Sequence, residues 1–443
     1  MLITPIPHPL NASVRVPGSK SLTNRALLIA ALADGTISLE NALFSDDSRY
    51  FADSLSRLGF DISLAPEASR MAVTGLGGRI PATRAELFIG NAGTAARFLS
   101  AFLTLGHGEY VLDGEPRMRE RPIGDLVDAL TQLGAKVEAV SGPRSASYPP
   151  VKITASGLPG GKTRIAGNIS SQFLSALLMV APYARSPVEI EVTTELNSKP
   201  YVDMTLSIMQ DFGVEVERDG YNSFKIPLTH YALRTNYQLP ITHYQPPITN
   251  YQIESDASAA SYFFAAPAVC GGTVRVENIS RKSVQGDIRF LGVLEQMGCE
   301  VLESDNTITV HRPSSIVGVD LDMGDIPDTA QTLAAVAPFA STPTRIRGIA
   351  SARVKETDRV AATCAELARL GVRVEEREDG MTIHPCSTFN PANIQTYNDH
   401  RMAMAFSLIG LRLPGVTIEN PGCVSKTFPN FFDVLATLDS KVS

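Results

Sequence analysis

Residues 255–272 read SDASAASYFFAAPAVCGG. A polar opening runs into small and apolar side chains that leave no polar face at helical spacing, so a helix here has no side to show to water and belongs inside a core. The run is interrupted by Ser, Pro and Gly, and its apolar part is too short and broken for a membrane span. Five other segments share the design: SLTNRALLIAALADG from Ser21, GNAGTAARFLSAFLTLG from Gly90, GNISSQFLSALLMVAP from Gly167, IPDTAQTLAAVAPFA from Ile326 and YNDHRMAMAFSLIG from Tyr397. Taken in chain order, the six starts lie 69, 77, 88, 71 and 71 residues apart. A fixed period of this kind is the mark of an internal repeat.

A second series keeps phase with the first. SRYFADSLSRLGFDISL from Ser48, PIGDLVDALTQLGAKVEAV from Pro122, YVDMTLSIMQDFGVEVE from Tyr201, GDIRFLGVLEQMGCEVL from Gly286 and VKETDRVAATCAELARLGVRVEE from Val354 each place apolar residues three and four apart. Each then meets a glycine and a short β-branched run, which predicts an amphipathic helix, a left-handed stop and a strand. PNFFDVLATLDS, from Pro429, reads as a truncated sixth copy. The unit is therefore strand, buried helix, strand, exposed helix, strand. Six units are too many for one core, so the chain is expected to form an α/β protein of two lobes with three repeats each. The predicted division is 18–252 for one lobe and 1–17 plus 253–443 for the other.

Composition narrows the function. The 443 residues are 44% hydrophobic and 19% charged, an ordinary globular balance that excludes disorder as the main state. The net charge, 39 − 46 = −7, argues against a nucleic-acid surface but leaves room for a local anion site. MLITPIPHPL lacks the basic start of a secretory signal. The five cysteines, Cys270, Cys299, Cys364, Cys386 and Cys423, contain no CxxC, and no HExxH or HxH occurs. We therefore expect a cytoplasmic protein with no disulfide framework, metal, nucleic-acid or membrane partner; separately, a monomer without a cofactor is expected.

Two segments fall outside the repeat. Thr229–Gln252 reads THYALRTNYQLPITHYQPPITNYQ and sits where a lobe boundary belongs, so a loop or β-hairpin insertion is expected. GLPGGKT from Gly157 resembles a phosphate-binding GxxxxGKT loop but is one residue short and lacks room for the following helix, so nucleotide binding is rejected.

The polar openings of the buried helices carry the chemistry. A helix start offers unpaired N–H groups and a partial positive charge, a natural anion site. Lys20, Ser21 and Arg25 stand at one opening; Asn91, Gly93, Thr94 and Arg97 at the next; Ser170, Ser171 and Gln172 at the third; Asp399, His400 and Arg401 at the last. Further cations crowd two loops: Arg117, Arg119 and Arg121 in one, and Arg345, Arg347, Arg353, Lys355 and Arg359 in the other, with Lys426 beyond. Such forks suit phosphate and carboxylate oxygens, although Arg117, Arg119, Arg345 and Arg347 could equally face solvent. Asp328 and Glu356 stand among these cations as candidate general acid or base.

At this point the residues resemble the 5-enolpyruvylshikimate-3-phosphate synthase family. The resemblance is carried by VPGSKSLTNRALL (Val16), LFIGNAGTAARF (Leu87), DGEPRMRERPIGDL (Asp113), ISSQFLSALL (Ile169), SKPYVDMT (Ser198), SDASAASYF (Ser255), QGDIRF (Gln285), IPDTA (Ile326), RVKETDR (Arg353), NDHRMAM (Asn398) and KTFPNFF (Lys426). It implies the two-lobed enolpyruvyl transferase fold, six βαβαββ repeats, and transfer of enolpyruvyl from phosphoenolpyruvate to shikimate 3-phosphate without a cofactor. Matched by motif, Lys20, Gly93, Arg121, Gln172, Arg359, Arg401 and Lys426 would hold phosphoenolpyruvate. Ser21, Arg25, Ser170, Ser171, Ser198, Tyr201, Asp328, Ser351 and Lys355 would hold shikimate 3-phosphate. Asp328 and Glu356 would move the protons, with Lys20 as a third catalytic group. Lobe closure and competition by glyphosate for the phosphoenolpyruvate site are also implied.

Three positions depart from the family pattern: Phe98 stands where many members have Pro, Ser351 where Asn is common, and Ser255 where Gly is common. The sister family acting on UDP-N-acetylglucosamine uses a loop Cys and an Asn beside its first Lys. Here Ser21 follows Lys20 and the N-terminal half has no Cys. A silent anion-binding protein on the same scaffold is the remaining alternative, and retention of Lys20, Asp328 and Glu356 speaks against it.

Overall fold

The computed structural model describes residues 1–141, 147–232, 250–312 and 314–439. The chain divides into two compact units, Gly18–Glu254 and Met1–Pro17 with Ser255–Ser443. Each unit has a hydrophobic core of its own. The division after Glu254 falls two residues beyond the sequence reading. Asn250–Gln252 pairs in parallel with Asp34–Glu40, and the N–H of Ile253 donates to the Glu40 carbonyl at 2.9 Å, which keeps this return segment with the first unit.

Each complete repeat forms one four-stranded sheet in the order first, second, fourth, third. The first two strands are parallel with the buried helix between them, as in Arg84–Phe88 and His107–Asp113 around the Gly93–Leu103 helix. The last two form an antiparallel hairpin, as in Lys136–Ser141 and Ser147–Ser156. A strand distant in sequence opens the leading repeat of each unit: Asn250–Gln252 in the first and Leu10–Arg15, paired with Gly272–Glu277, in the second. The sixth repeat has a two-stranded sheet, Ala392–Ile394 with Val416–Ile418. There the chain's own start takes part: Leu2 bridges Thr417, and Ile3 N donates to the Val416 carbonyl at 3.0 Å.

The two helix series differ as their patterns require. Every residue of Gly93–Leu103 and of His400–Gly410 is buried, and so are Leu22–Leu32 of the Lys20–Leu32 helix. Within each unit the three buried helices pack on one another. The second series shows one buried face, as in Asp46–Arg57 and Arg359–Arg369. Its five stops, Gly59, Gly134, Gly213, Gly298 and Gly371, all have φ between 84 and 103°, where a side chain would be strained. The fifth buried helix is shorter than its apolar run: Ala330–Val336 is α-helical, flanked by 3₁₀ turns at Pro327–Thr329 and Ala337–Phe339, each opened by a proline-containing step.

The GLPGGKT segment is irregular chain that runs straight into the strand Gly161–Ile165, so a strand stands where a phosphate-binding loop needs a helix. Most of the Thr229–Gln252 insertion, residues 233–249, lies outside the described residues. Its flanks are held by aromatic packing: Tyr231 donates its hydroxyl to the Met179 carbonyl at 2.8 Å and lies edge-on to Phe212, which also packs against Tyr251.

Candidate active site

In the unit of Met1–Pro17 with Ser255–Ser443, one guanidinium organises three carboxylates. Arg359 opens the Arg359–Arg369 helix, and its side chain is 4% exposed. Its Nε donates to Asp399 Oδ2 at 2.8 Å, one terminal nitrogen to Asp328 Oδ1 at 3.0 Å and the other to Glu356 Oε2 at 2.8 Å. Burial pulls the Arg359 pKa down, but Asp399, Glu356 and Asp328 outweigh it and hold the group above its ordinary value. Arg401 donates to Asp328 Oδ2 at 2.7 Å, and Lys426 Nζ lies 3.7 Å from Glu356 Oε1. Asp399 also caps the His400–Gly410 helix by accepting from Arg401 N at 2.9 Å. Three cations and three carboxylates thus form one nearly closed network, joining the starts of two helices to the 3₁₀ turn of Asp328. Ser351 is buried in the Ala350–Val354 turn that leads into Lys355 and Glu356.

Behind this network lies a group that sequence reading did not single out. Asp287 is buried, accepts from the Ser258 hydroxyl, and has its pKa pushed up to about 7 by burial and by the nearby charge of Asp328, against the pull of Arg401. A carboxyl raised above its unfolded value of 3.8 binds its proton more tightly when folded. The stability it lends is whole below pH 4 and is lost as pH rises toward 7. Thermal melting of Asp287→Asn should therefore fall less steeply between pH 4 and 7 than that of the parent; parallel curves would refute this assignment.

In the unit Gly18–Glu254, Arg121 lies across the start of the Gly93–Leu103 helix. Its guanidinium donates to both the carbonyl (2.9 Å) and the side-chain oxygen (3.1 Å) of Asn91. A β-carbon on Gly93 would come within 2.4 Å of an Arg121 nitrogen, so only glycine permits this approach. Lys20, at the start of the Lys20–Leu32 helix capped by Ser19, has its Nζ 3.8 Å from the buried Asp47. Ser170 caps Ser171–Val180 by accepting from Gln172 N, placing Ser170, Ser171 and Gln172 together at that opening. Ser198 stands before the Lys199–Asp211 helix at φ 58°, a left-handed conformation that non-glycine residues rarely adopt.

Arg25 is the most deeply buried of the arginines singled out. It donates to Thr205 Oγ1 (2.8 Å), Ser175 Oγ (3.3 Å) and the carbonyls of Ser21 (3.0 Å) and Tyr201 (3.1 Å). All four acceptors are uncharged, and burial lowers its pKa to about 10. The guanidinium also lies 5.3 Å from the centre of the ring of Phe98, the first of the three positions noted above. Arg97 is likewise turned inward, donating to the Pro122 carbonyl at 2.6 Å. By contrast Arg117 and Arg119 pair with Glu120 and Asp113, and Arg345 and Arg347 with Asp320, as partly exposed ion pairs. The third family departure is absorbed locally: Asn278 donates to the Ser255 hydroxyl at 2.7 Å. Among the described residues, no group of three or more His, Cys, Asp or Glu side chains is arranged to hold a metal ion, and no helix is long and apolar enough to cross a membrane.

A family model described as EPSP synthase (3-phosphoshikimate 1-carboxyvinyltransferase) matches residues 5–435. The chain belongs to the EPSP synthase family. The 3-phosphoshikimate 1-carboxyvinyltransferase of Trichormus variabilis is 50% identical over 425 residues, 96% of each chain. That of Shewanella denitrificans is 48% identical over 430 residues, 97% of this chain and 96% of the relative. Among solved structures, EPSP synthase from Acinetobacter baumannii superposes with a TM-score of 0.76 at 25% identity, covering 98% of this chain and 97% of that one. The α/β architecture is therefore that of the EPSP synthases, and the chain is a transferase of that family.

Proposed function

We propose that the chain transfers the enolpyruvyl group of phosphoenolpyruvate to the 5-hydroxyl of shikimate 3-phosphate and releases phosphate, a step on the route to aromatic amino acids. The observation that carries the reading is the cluster of Arg359, Arg401 and Lys426 balanced by Asp328, Glu356 and Asp399. A phosphate or carboxylate arriving there competes with the resident carboxylates for the same cations. Protonating one carboxyl restores the balance, and Glu356 thereby becomes a general acid at the moment substrate arrives.

In this reading Glu356 gives its proton to the methylene carbon of phosphoenolpyruvate, leaving an oxygen-stabilised cationic centre. Asp328 takes the proton of the 5-hydroxyl as that oxygen attacks. The tetrahedral adduct then loses phosphate and a methyl proton, which restores the carbon–carbon double bond. The cations lower the barrier by offsetting charge rather than by bonding. The phosphoenolpyruvate ligands we propose are Lys20, Gly93, Arg121, Gln172, Arg359, Arg401 and Lys426. Those for shikimate 3-phosphate are Asp328, Ser351 and Lys355, with Ser21, Arg25, Ser170, Ser171, Ser198 and Tyr201. Arg25, a buried cation whose hydrogen bonds to Thr205, Ser175, Ser21 and Tyr201 all go to neutral acceptors, contributes positive potential there. Five unpaired cysteines, four of them buried, support a reducing cytoplasmic setting, where we propose the enzyme works as a monomer.

Phosphate release measured with phosphoenolpyruvate and shikimate 3-phosphate tests the reading, with UDP-N-acetylglucosamine as the control acceptor. Release with the control acceptor alone would overturn it. The geometry also predicts that Gly93→Ala pushes the Arg121 guanidinium aside and lowers kcat/KM for phosphoenolpyruvate by roughly 10- to 100-fold. Steady-state kinetics at saturating shikimate 3-phosphate would measure this, and an unchanged value would remove Arg121 from the phosphoenolpyruvate site.

A further inference from the structure

Resting on the assignment of Glu356 as proton donor, we infer that Arg353 is a positioning residue that fixes the Lys355–Glu356 stretch of backbone. Residues 355–357 belong to no helix or strand, so the placement of Glu356 must come from what grips the chain on either side. Arg353 supplies that grip from three residues upstream. Its Nε donates to the Glu378 carbonyl at 2.8 Å and one terminal nitrogen to the Arg377 carbonyl at 2.6 Å. The same nitrogen lies 2.8 Å from Glu376 Oε1, and the other donates to Asp358 Oδ2 at 2.8 Å.

These partners have two addresses. Glu376, Arg377 and Glu378 belong to the hairpin of Val374–Arg377 and Gly380–Ile383. Asp358, two residues beyond Glu356, caps the Arg359–Arg369 helix by accepting from Ala361 N at 3.0 Å. One planar fork therefore ties the chain before Glu356 both to the hairpin and to the helix start that carries Arg359. The same hairpin turn holds the segment further upstream: Ile349 N donates to the Asp379 carbonyl at 2.8 Å, and Gly348 N to the Asp379 side chain at 3.2 Å. With its two flanks clamped, Glu356 is held in reach of Arg359 and Lys426. A lysine at 353 would keep the charge but has no rigid fork to span four acceptors.

The test is a double-mutant cycle on the full chain. Arg353→Gln should lower kcat by roughly 10- to 100-fold, because a catalytic group displaced by about an ångström loses that much. Added to Glu356→Gln, it should cost less than about twofold, since residues acting through one group are not additive. Arg353→Lys should recover part of the loss. The pH dependence of kcat should also move in Arg353→Gln, because freeing Glu356 from Arg359 removes the cation that favours its ionised form; a role in folding alone would leave the profile in place. Should Arg353→Gln fail to accumulate as folded protein, Asp358→Asn carries the same cycle, as asparagine keeps the helix cap while losing the charged contact. Losses that add, with Glu356→Gln itself slow, would overturn the positioning role alone. Wild-type turnover by Glu356→Gln would overturn the proton-donor assignment and the inference with it.

Discussion

Glu356→Gln should bind both substrates and turn over roughly 10²- to 10⁴-fold more slowly, the usual cost of losing a general acid. The substitution keeps the size of the side chain and one hydrogen-bond acceptor for Arg359, whose nitrogen now sits 2.8 Å from Glu356 Oε2. What it removes is the proton. Binding should persist because Arg359, Arg401 and Lys426 all remain, and removing a negative charge beside them leaves the site more attractive to anions. Calorimetric titration with shikimate 3-phosphate and stopped assays of phosphate release separate the two effects. A loss confined to binding, with turnover at saturation intact, would mean that Glu356 positions substrate and transfers nothing.

Arg359→Met should lower the stability of the fold by about 3–5 kcal/mol, the usual consequence of removing one partner from a buried ion network. The arginine is shared by three acids of which Asp399 is wholly buried and Glu356 nearly so. Methionine approximates its volume but supplies no donor. Asp399, fully buried, cannot turn to solvent, and it must go on capping the His400–Gly410 helix. Denaturant unfolding at neutral pH should show the deficit as a lower midpoint with an unchanged slope. A change under about 1 kcal/mol, the range of exposed pairs, would show that the network is not the desolvated cluster its geometry describes.

The repeat was legible because its signals are local. A helix with no polar face announces burial within fourteen residues, as Ala257–Cys270 does, and each amphipathic helix carries its own glycine stop. The charged residues of the candidate site stand out in the sequence for the same reason, since Lys355, Glu356 and Arg359 are neighbours in one motif. What stayed hidden depends on contacts made across the fold. Arg25 reads as one more cation at a helix start, yet its acceptor Thr205 is 180 positions away. Asp47 pairs with Lys20 from inside an ordinary capped helix, where no period marks it. Asp287 becomes notable only through burial, and Arg353, legible as one loop cation among several, shows its grip only through acceptors on a hairpin more than twenty residues downstream. The two-stranded sixth sheet was foreshadowed by the truncated last copy, but nothing in the sequence said that residues 1–3 would flank it.

The parallel pair of Leu10–Arg15 with Gly272–Glu277 bears on how the chain is born. A ribosome adding about 5–20 residues per second delivers the second strand roughly 10–50 s after the first. Through that interval the opening strand has no partner, while Gly18–Glu254, made in one stretch, can condense unaided. Once it has, the hydrogen bond from Ser19 N to the Glu254 carbonyl, 2.8 Å long, holds the two ends of that finished body together. The early strand and its late partner are then tethered by residues 16–18 and 255–271 instead of by more than two hundred of loose chain, and most of the entropy of closing so large a loop has already been met by the part that folded first.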